Sequence, residues 1–230
     1  MIEQKFADLF AAGSQVILNV AEQEIVLTYV LKIMDDASLL KTLAFKGGTC
    51  LRKCVYGKET RFSMDLDFTS INEMEPDDAI LELVELFSKP AYGISFKVET
   101  KDFYSAGDRL SCGAIIQYKH DWSEGNFKLE ISLREKPSLP MIFSRLQAQS
   151  YFKHLEFEPL CLTCMQFEEL LAEKIRAAFQ RVRARDLYDL VRATGKPLNV
   201  PLVRSLAVIK CWNVRDSFDP ECFFMNKESI

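Results

Sequence analysis

The fold is decided by two short stretches of sequence, FKGGTCLRKCV at residues 45–55 and RFSMDLDF at residues 61–68. The first predicts the end of a short strand, a turn at Gly47 and Gly48, and a helix capped by Thr49. The second alternates apolar and polar side chains with a period of two, which is typical of a strand with one buried face. Together they predict a strand, a glycine turn, a helix and a second strand in succession.

Two acidic residues, Asp65 and Asp67, lie on the polar side of the second predicted strand. Residues i and i+2 of a strand point the same way, with Cα atoms about 6 to 7 Å apart. The two carboxylates repel each other, and the usual relief is a divalent cation or a raised pKa on one of them. Hard oxygen ligands suit Mg²⁺ or Mn²⁺, which complete their shells with water and substrate phosphates. Taken alone, such a pair is more often part of a solvated sheet face than a metal site.

A third acid and the glycine turn favour a metal site at Asp65 and Asp67 over a solvated sheet face. The stretch NFKLEISLR at residues 126–134 repeats the alternation and places Glu130 on a polar face, where it supplies a third ligand if the two strands are neighbours. A glycine turn at a strand end that opens a helix presents backbone N–H groups to a phosphate. This combination favours one chemistry, the binding of a nucleoside triphosphate beside metal ions.

These stretches resemble the nucleotidyltransferase fold of the polymerase β superfamily, and within it the AbiEii/AbiGii toxin family. The narrower resemblance lies in Arg61, Ser63, Asp65 and Asp67. It implies an α+β nucleotidyltransferase fold with a mixed β-sheet flanked by helices, plus a C-terminal helical region. It also implies metal-dependent transfer of a nucleotidyl group from an NTP to an acceptor hydroxyl, with Mg²⁺ or Mn²⁺ as cofactor and release of pyrophosphate.

The resemblance further implies a biological role and a set of site residues. The role is that of a toxin in a toxin–antitoxin or abortive-infection system, with RNA such as tRNA 3′ ends as acceptor in some members and a cognate antitoxin as partner. The implied metal ligands are Asp65, Asp67 and Glu130, which with Lys174 are the catalytic residues. The implied phosphate-binding residues are Gly47, Gly48, Thr49, Arg61, Ser63, Lys174, Arg181 and Arg185. Asp186 and Asp189 are expected to support them.

Residues 166–195 contain no internal glycine or proline and predict one long helix, whose Glu-Lys and Arg-Asp-Leu-Tyr-Asp-Leu segments are similar to the C-terminal stretch of the same family. On a helical wheel one basic edge, within about 60°, borders the apolar stripe. Its members are Lys174, Arg181, Arg185 and Asp189. Arg176 and Arg183 are predicted to project away. The alternative is a solvated helix with an Arg185–Asp189 ion pair.

The composition is that of an ordinary globular chain, with 230 residues, 48% apolar and 27% charged. A net charge of −4 argues against a protein coated in positive charge for nonspecific binding of nucleic acid. Only two histidines occur, which leaves little room for a histidine zinc site or a Ser–His–Asp triad. We expect a nucleotidyltransferase domain with an N-terminal helix over residues 1–150. Residues 151–230 are expected to form a linker and a helical subdomain, with little regular structure from Pro137 to about residue 164.

The cysteines and the hydropathy indicate a cytoplasmic chain. Seven cysteines, an odd number, and a start without an apolar leader predict reduced thiols. Cys161 and Cys164 form one CxxC pair, but no second pair lies at zinc-site spacing, so both are predicted to be buried small side chains. No apolar run reaches the ~18 to 20 residues that span a bilayer, so no membrane partner is expected.

Two other functions stay open at the level of the residues. Paired carboxylates also serve a metal-dependent phosphodiesterase, although that enzyme does not need the glycine turn. A catalytically inactive protein that keeps the fold and binds nucleotide or RNA is the other alternative. The identity of the NTP, the acceptor and the oligomeric state do not follow from the sequence.

Overall fold

The computed structural model describes residues 2–106, 110–181 and 183–214. The chain divides into two compact units. The first comprises Met1–Lys136 and Ile142–Cys164, and the second comprises Pro137–Met141 and Met165–Ile230. Each unit is described by itself below.

The first unit is built on an eight-stranded mixed sheet. Its strands are β1 (Leu43–Lys46), β2 (Leu66–Ser70), β3 (Ser95–Lys97), β4 (Phe103–Ala106), β5 (Ser111–His120), β6 (Ser123–Ser132), β7 (Ile142–Arg145) and β8 (Cys161–Cys164). The order is β3-β5-β6-β2-β1-β8-β7, and β4 pairs with β5. The β2–β6 and β1–β8 pairs are parallel and the remaining pairs are antiparallel. The predicted α+β fold with a mixed sheet is confirmed.

Helices accompany the sheet in the first unit and form the second. In the first unit they are α1 (Gln4–Ser14), α2 (Leu18–Asp36), α3 (Gly47–Cys50) and α4 (Pro76–Phe87). A π-helical turn, Leu51–Tyr56, continues α3. The second unit contains α5 (Phe167–Gln180), α6 (Ala184–Ala193) and α7 (Val200–Asn213). In the described part of the chain, no helix combines the length and apolar character needed to cross a lipid bilayer.

The predicted alternation of β2 and β6 is present and forms the centre of the core. Leu66 and Phe68 on β2 and Leu129 and Ile131 on β6 are fully buried. The register places Leu66 opposite Leu129 and Phe68 opposite Ile131, so the apolar side chains of both strands share one face. The polar side chains that alternate with them therefore share the other face.

A buried ionic network fixes the segment that follows the glycine turn. Glu24 on α2 accepts hydrogen bonds from Arg52 Nε at 3.2 Å and from Lys53 Nζ at 2.9 Å. Arg52 Nη1 also donates to the main-chain oxygen of Thr60 at 2.7 Å. The same guanidinium lies 3.7 Å from the centre of the Phe62 ring. Because all three charged residues are buried, these contacts hold the chain that leads into Arg61 in one position.

Two strands lie where little regular structure was predicted. β7 and β8 pair with each other antiparallel, and β8 joins the sheet beside β1 through the Phe45–Cys164 pair. Each strand has only four residues, which is too short to show a period of two, and Pro140 and Pro159 interrupt the pattern around them. The prediction that Cys161 and Cys164 are both buried is wrong for Cys161, which is exposed.

In the second unit the predicted single helix is broken. α5 ends at Gln180, and Arg181 is extended with φ −152° and ψ 145°, so α6 is a separate helix. Two apolar clusters join the helices, one of Leu171, Ala193 and Val203 and the other of Ala172, Leu206 and Ala207. The short segment Pro137–Met141 is fixed through the buried Glu169, which accepts hydrogen bonds from the N–H groups of Ser138 and Leu139 and pairs with Lys210 at 2.6 Å.

Candidate active site

The glycine turn is packed directly against one of the predicted metal ligands. Gly47 begins the helix after β1 with φ +76°, a conformation that L-amino acids with a side chain rarely adopt. A Cβ atom at this position would lie 2.2 Å from Oδ2 of Asp67. The carboxylate of Asp67 therefore occupies the space that any other residue at position 47 would need. The turn and the acidic strand form one local structure.

The second glycine brings two more of the predicted residues to the same turn. A Cβ atom on Gly48 would lie 2.8 Å from Nη2 of Arg61 and 3.0 Å from Oγ of Ser63. The chain before β2 therefore folds back over the glycine turn. One guanidinium, one hydroxyl and the first N–H groups of the helix meet there, and these are groups that bind phosphate oxygens.

Thr49 does not cap the helix, as the sequence predicted, because the helix already begins at Gly47. Thr49 is fully buried, and its hydroxyl donates a hydrogen bond to the main-chain oxygen of Asp65. This bond ties the helix to the residue that precedes β2. The side chain of Thr49 thus positions Asp65, and only its backbone N–H is left as a candidate phosphate ligand.

Two of the three predicted acids, Asp67 and Glu130, lie on neighbouring strands, and Asp65 lies just before one of them. Asp67 pairs in register with Glu130 on the parallel strand β6 and with Lys46 on the antiparallel strand β1. Adjacent strands are about 4.8 Å apart, and side chains in register share a face, so the carboxylates of Asp67 and Glu130 point the same way. Asp65 lies one residue before β2, not within the strand as predicted. All three acids are half-buried.

Glu130 is held ionised by two side chains that sequence analysis did not identify. Tyr104 donates its hydroxyl to Oε2 of Glu130 at 3.0 Å, and Lys128 donates its ammonium to the same oxygen. Burial opposes ionisation of Glu130, but the hydrogen bond and charge of Lys128, the Tyr104 hydroxyl and the charge of Lys46 together lower its pKa. Burial and the charge of Glu130 raise the pKa of Tyr104, so this hydroxyl stays a donor.

A signal in the sequence pointed to one of these two partners. Lys128 stands two residues before Glu130 on the same polar face of β6, so their contact follows from the alternation. Tyr104 lies on the four-residue strand β4, and its position next to Glu130 depends on the pairing of β4 with β5 and of β5 with β6. A pairing of that kind leaves no local pattern in the sequence.

The acids fit an Mg²⁺ or Mn²⁺ ion that takes some of its ligands from the protein and the others from water and a substrate. In the described part of the chain, one group of three side chains has its ligand atoms all within 4.8 Å of each other, and it consists of thiols. The carboxylates of Asp65, Asp67 and Glu130 do not form such a tight group, and all three are half-buried. Mg²⁺ typically takes one or two carboxylates and completes its shell with water and phosphates, so it does not require three carboxylates in one tight group.

The predicted basic residues of the second unit form an ion cluster. Lys174 Nζ lies 3.0 Å from Oδ1 of Asp186 and 2.9 Å from Oδ2 of Asp189. Arg181 Nε lies 3.0 Å from the other oxygen of Asp186. Burial opposes ionisation of Asp186, but the charge of Lys174 and the hydrogen bond from Arg181 lower its pKa. The side chain of Asp186 is fully buried, so the cluster joins α5 to α6.

The break between α5 and α6 explains why this ion cluster forms. It also explains why the basic edge predicted for one continuous helix does not form. In a continuous helix Lys174 and Asp186 would lie about 18 Å apart along the axis. Arg185 is exposed on α6, apart from the continuous face on which it was placed. Arg176, predicted to project away, is buried and donates to the main-chain oxygen of Lys210 at 3.1 Å. Arg183 is exposed, as predicted.

A glycine turn packed against one acid of a mixed sheet, with another acid in register on the next strand, defines the nucleotidyltransferase class. Comparison with protein families identifies the member of that class. The family described as the nucleotidyl transferase AbiEii toxin of a type IV toxin–antitoxin system matches residues 29–216. The chain belongs to this family and is a toxin nucleotidyltransferase.

Solved structures agree with this assignment. MenT4, a nucleotidyltransferase toxin from Mycobacterium tuberculosis H37Rv, is similar with a TM-score of 0.80 and 27% identity, over 96% of this chain and 75% of that chain. Two Helicobacter pylori proteins share the fold at 21% identity. One, JHP933, has a TM-score of 0.53 over 80% of this chain and 71% of its own. The other has a TM-score of 0.55 over 88% and 84%. Comparison with curated proteins gives no match.

Proposed function

We propose that this toxin transfers a nucleotidyl group from an NTP to the 3′ hydroxyl of an RNA, with tRNA as the first candidate, in a reaction that depends on Mg²⁺. The observation that supports this most directly is the contact between Gly47 and Asp67, with Glu130 in register beside them. It joins a phosphate-binding turn to a set of hard oxygen ligands within one local structure.

The residues of the chain have distinct tasks in this proposal. The N–H groups at Gly47 and Gly48, with Arg61 and Ser63, bind the triphosphate and orient its reacting phosphorus. Asp65, Asp67 and Glu130 are the candidate ligands for Mg²⁺, which when bound activates an attacking hydroxyl and neutralises the leaving pyrophosphate. Because the pKa of Glu130 is lowered, its carboxylate is ionised and available at neutral pH.

The second unit supplies further candidate phosphate ligands. The assignment of Lys174, Arg181 and Arg185 to phosphate or RNA binding stays a prediction. Lys174 and Arg181 are both held by Asp186, and Lys174 also pairs with Asp189, which fixes the positions of the two cations. This is the supporting role that was predicted for Asp186 and Asp189, and we retain it as part of the proposal.

Membership of a type IV toxin–antitoxin family implies a cognate antitoxin as partner. We infer that the antitoxin is encoded beside the toxin and relieves its toxicity in cells. Co-expression of the neighbouring gene with the toxin tests this inference, because growth is restored if the pair is cognate and stays arrested if it is not.

The catalytic proposal is tested by incubating the protein with each labelled NTP, MgCl₂ and total cellular RNA. We expect label to enter RNA with one NTP preferred, and to be lost with EDTA or in Asp65→Asn. Asp121→Asn, an exposed acid in the turn between β5 and β6, is the matched control and should label RNA normally. Undiminished labelling by Asp65→Asn, or shortening of RNA without incorporation, would contradict the proposal.

A further inference from the structure

Three cysteines from two distant segments of the first unit converge on one point. Cys50 ends α3, Cys54 lies one turn further in the π-helical segment, and Cys164 ends β8. Their sulfur atoms all lie within 4.8 Å of one another, and the sulfur atoms of Cys54 and Cys164 are 3.7 Å apart. Packing of three small side chains does not require their sulfur atoms to meet, so the convergence itself needs an explanation.

The distance of 3.7 Å between the sulfur atoms of Cys54 and Cys164 matches that between two ligands of a metal–thiolate site. A Zn–S bond of about 2.3 Å in tetrahedral geometry places two sulfur ligands about 3.8 Å apart. A disulfide needs the two atoms at about 2.05 Å, so Cys54 and Cys164 are not bonded to each other and both thiols are free. Three thiolates are also a ligand set that selects soft or borderline ions, above all Cu⁺ and Zn²⁺, over Mg²⁺.

The surroundings balance the charge that such a site carries. Three thiolates and one Zn²⁺ have a net charge of about −1, which is costly to bury without a nearby cation. The residues next to Cys54 include Arg52 and Lys53, which share the single buried carboxylate of Glu24. Two cations and one carboxylate carry a net charge of +1 in this buried network, and the charge of Lys53 acts on Cys54.

The three thiols lie in surroundings that act differently on their ionisation. Hydrogen bonds from Cys164 and Cys50 lower the pKa of Cys54 to about 5, and the charge of Lys53 adds to this effect. Burial is the main cause that raises the pKa of Cys50 well above its usual range. Thiolates are the form that coordinates a metal ion, so metal binding at this site would release the protons of the thiols that become ligands.

We propose that Cys50, Cys54 and Cys164 form a buried thiolate site for one thiophilic metal ion, Zn²⁺ or Cu⁺. The ion ties β8 to the helix that starts at Gly47, so it stabilises the glycine turn from the core side. This thiolate site is distinct from the proposed Mg²⁺ site, whose candidate ligands are the carboxylates of Asp65, Asp67 and Glu130. The site is buried, with Cys54 the most exposed of the three at 5%, so we expect the ion to be acquired during folding.

The test measures metal content after expression in medium supplemented with Zn²⁺ or, separately, with a Cu²⁺ salt, which the expressing cells reduce to Cu⁺. The protein is purified without a histidine tag under reducing conditions, treated with EDTA and desalted, and its metal is quantified by mass spectrometry. We expect about one ion per chain in the wild type and little in Cys54→Ala or Cys164→Ala. Cys161→Ser, which removes an exposed thiol on the same strand as Cys164, is the matched control and should keep the ion.

A second measurement does not depend on the folding of variants. Wild-type protein refolded with Cd²⁺ should show the ultraviolet charge-transfer absorption of metal-bound thiolates and a higher melting temperature than protein refolded with EDTA. The proposal is overturned if the wild type retains no more metal than Cys54→Ala, or if Cys161→Ser alone abolishes binding. It is also overturned if thiol mapping finds a Cys54–Cys164 disulfide without bound metal. None of these measurements depends on nucleotidyl transfer.

Discussion

The carboxylate of Asp67 rests on the backbone of Gly47, where a Cβ atom would come within 2.2 Å of Oδ2. This contact joins the turn that is proposed to bind phosphates to the strand that is proposed to bind the metal. Phosphate binding and metal binding would therefore both depend on the same contact between Gly47 and Asp67. A change in the turn should displace the acid, although the acid itself is unchanged.

Substitution of Gly47 by alanine tests this coupling. The new methyl group must push Asp67 away, and the positive φ adds about 1 to 2 kcal/mol of backbone strain. Misplacement of a reacting group by about 1 Å can reduce a rate by roughly 100-fold. We therefore expect Gly47→Ala to lower the rate of RNA labelling by at least about that factor while the protein stays folded, as measured by labelling assays beside circular dichroism.

Two other glycines provide graded controls for this substitution. In Gly48→Ala the methyl group meets the flexible end of Arg61, which can move, so we expect a smaller loss of activity than in Gly47→Ala. Gly13 lies in α1, and a methyl group added there would have no neighbouring atom within 4 Å. Gly13→Ala should therefore leave activity unchanged and stabilise the helix by about 0.5 to 1 kcal/mol. Equal effects in all three variants would refute a specific contact.

The sequence was sufficient for those parts of the site that depend on local pattern. The period of two in β2 and β6 predicted which residues are buried, and the paired glycines predicted the turn. The break at Arg181 was not predictable in this way, because no glycine or proline marks it. It follows from the burial of Asp186 against Lys174, a contact between separate helices. The meeting of Cys50 with Cys164 likewise depends on a strand too short to show a pattern.

Removal of the Tyr104 hydroxyl should change the pH dependence of the reaction. The lowered pKa of Glu130 keeps its carboxylate ionised at neutral pH, and activity falls only when the pH drops through that value. Tyr104→Phe and Lys128→Gln each remove an interaction that lowers the pKa, so the pKa of Glu130 should rise. We expect the acid limb of the pH–rate profile to move to higher pH, with an activity loss of about 10- to 100-fold.

Lys119 provides the control for this prediction. Lys119 is exposed on β5 and pairs only weakly with Glu124, at 3.4 Å, so Lys119→Gln should leave the profile in place. A Tyr104→Phe variant with reduced activity but an unmoved acid limb would show that the hydroxyl acts on something other than the ionisation of Glu130.

The buried Asp186 should contribute to stability in a way that depends on pH. Asp186→Asn removes a charge that pairs with Lys174 and Arg181, and Lys174 keeps Asp189, so we expect a loss of about 2 to 3 kcal/mol in the free energy of unfolding at pH 7. The pKa of Asp186 is lowered, so its stabilisation is present above its usual pKa of 3.8 and lost as the pH falls through the folded value. Urea unfolding at several pH values measures this.

A comparison of the wild type with Asp186→Asn at low pH shows whether the stabilisation by Asp186 comes from its charge or from its packing. The wild type and Asp186→Asn should converge in stability as the pH drops below about 3.8, because the wild-type carboxyl is then increasingly protonated, first in the unfolded and then in the folded state. Asp121→Asn, at an exposed position, should match the wild type throughout. A difference at pH 7 that persists unchanged in acid would mean that packing, and not charge, is lost in Asp186→Asn.

The exposed Arg185 should contribute to RNA binding through its charge. If Arg185 binds one phosphate of a single-stranded RNA end, Arg185→Ala should weaken binding and reduce the slope of log K against log salt by about 0.7. Filter binding with labelled tRNA at several salt concentrations measures the slope. Arg183→Ala is the matched control, since Arg183 is also exposed and lies just before α6 but is predicted to project into solvent. An equal change of slope in both variants would indicate a diffuse charge effect, and no change in either would remove Arg185 from the RNA-binding surface.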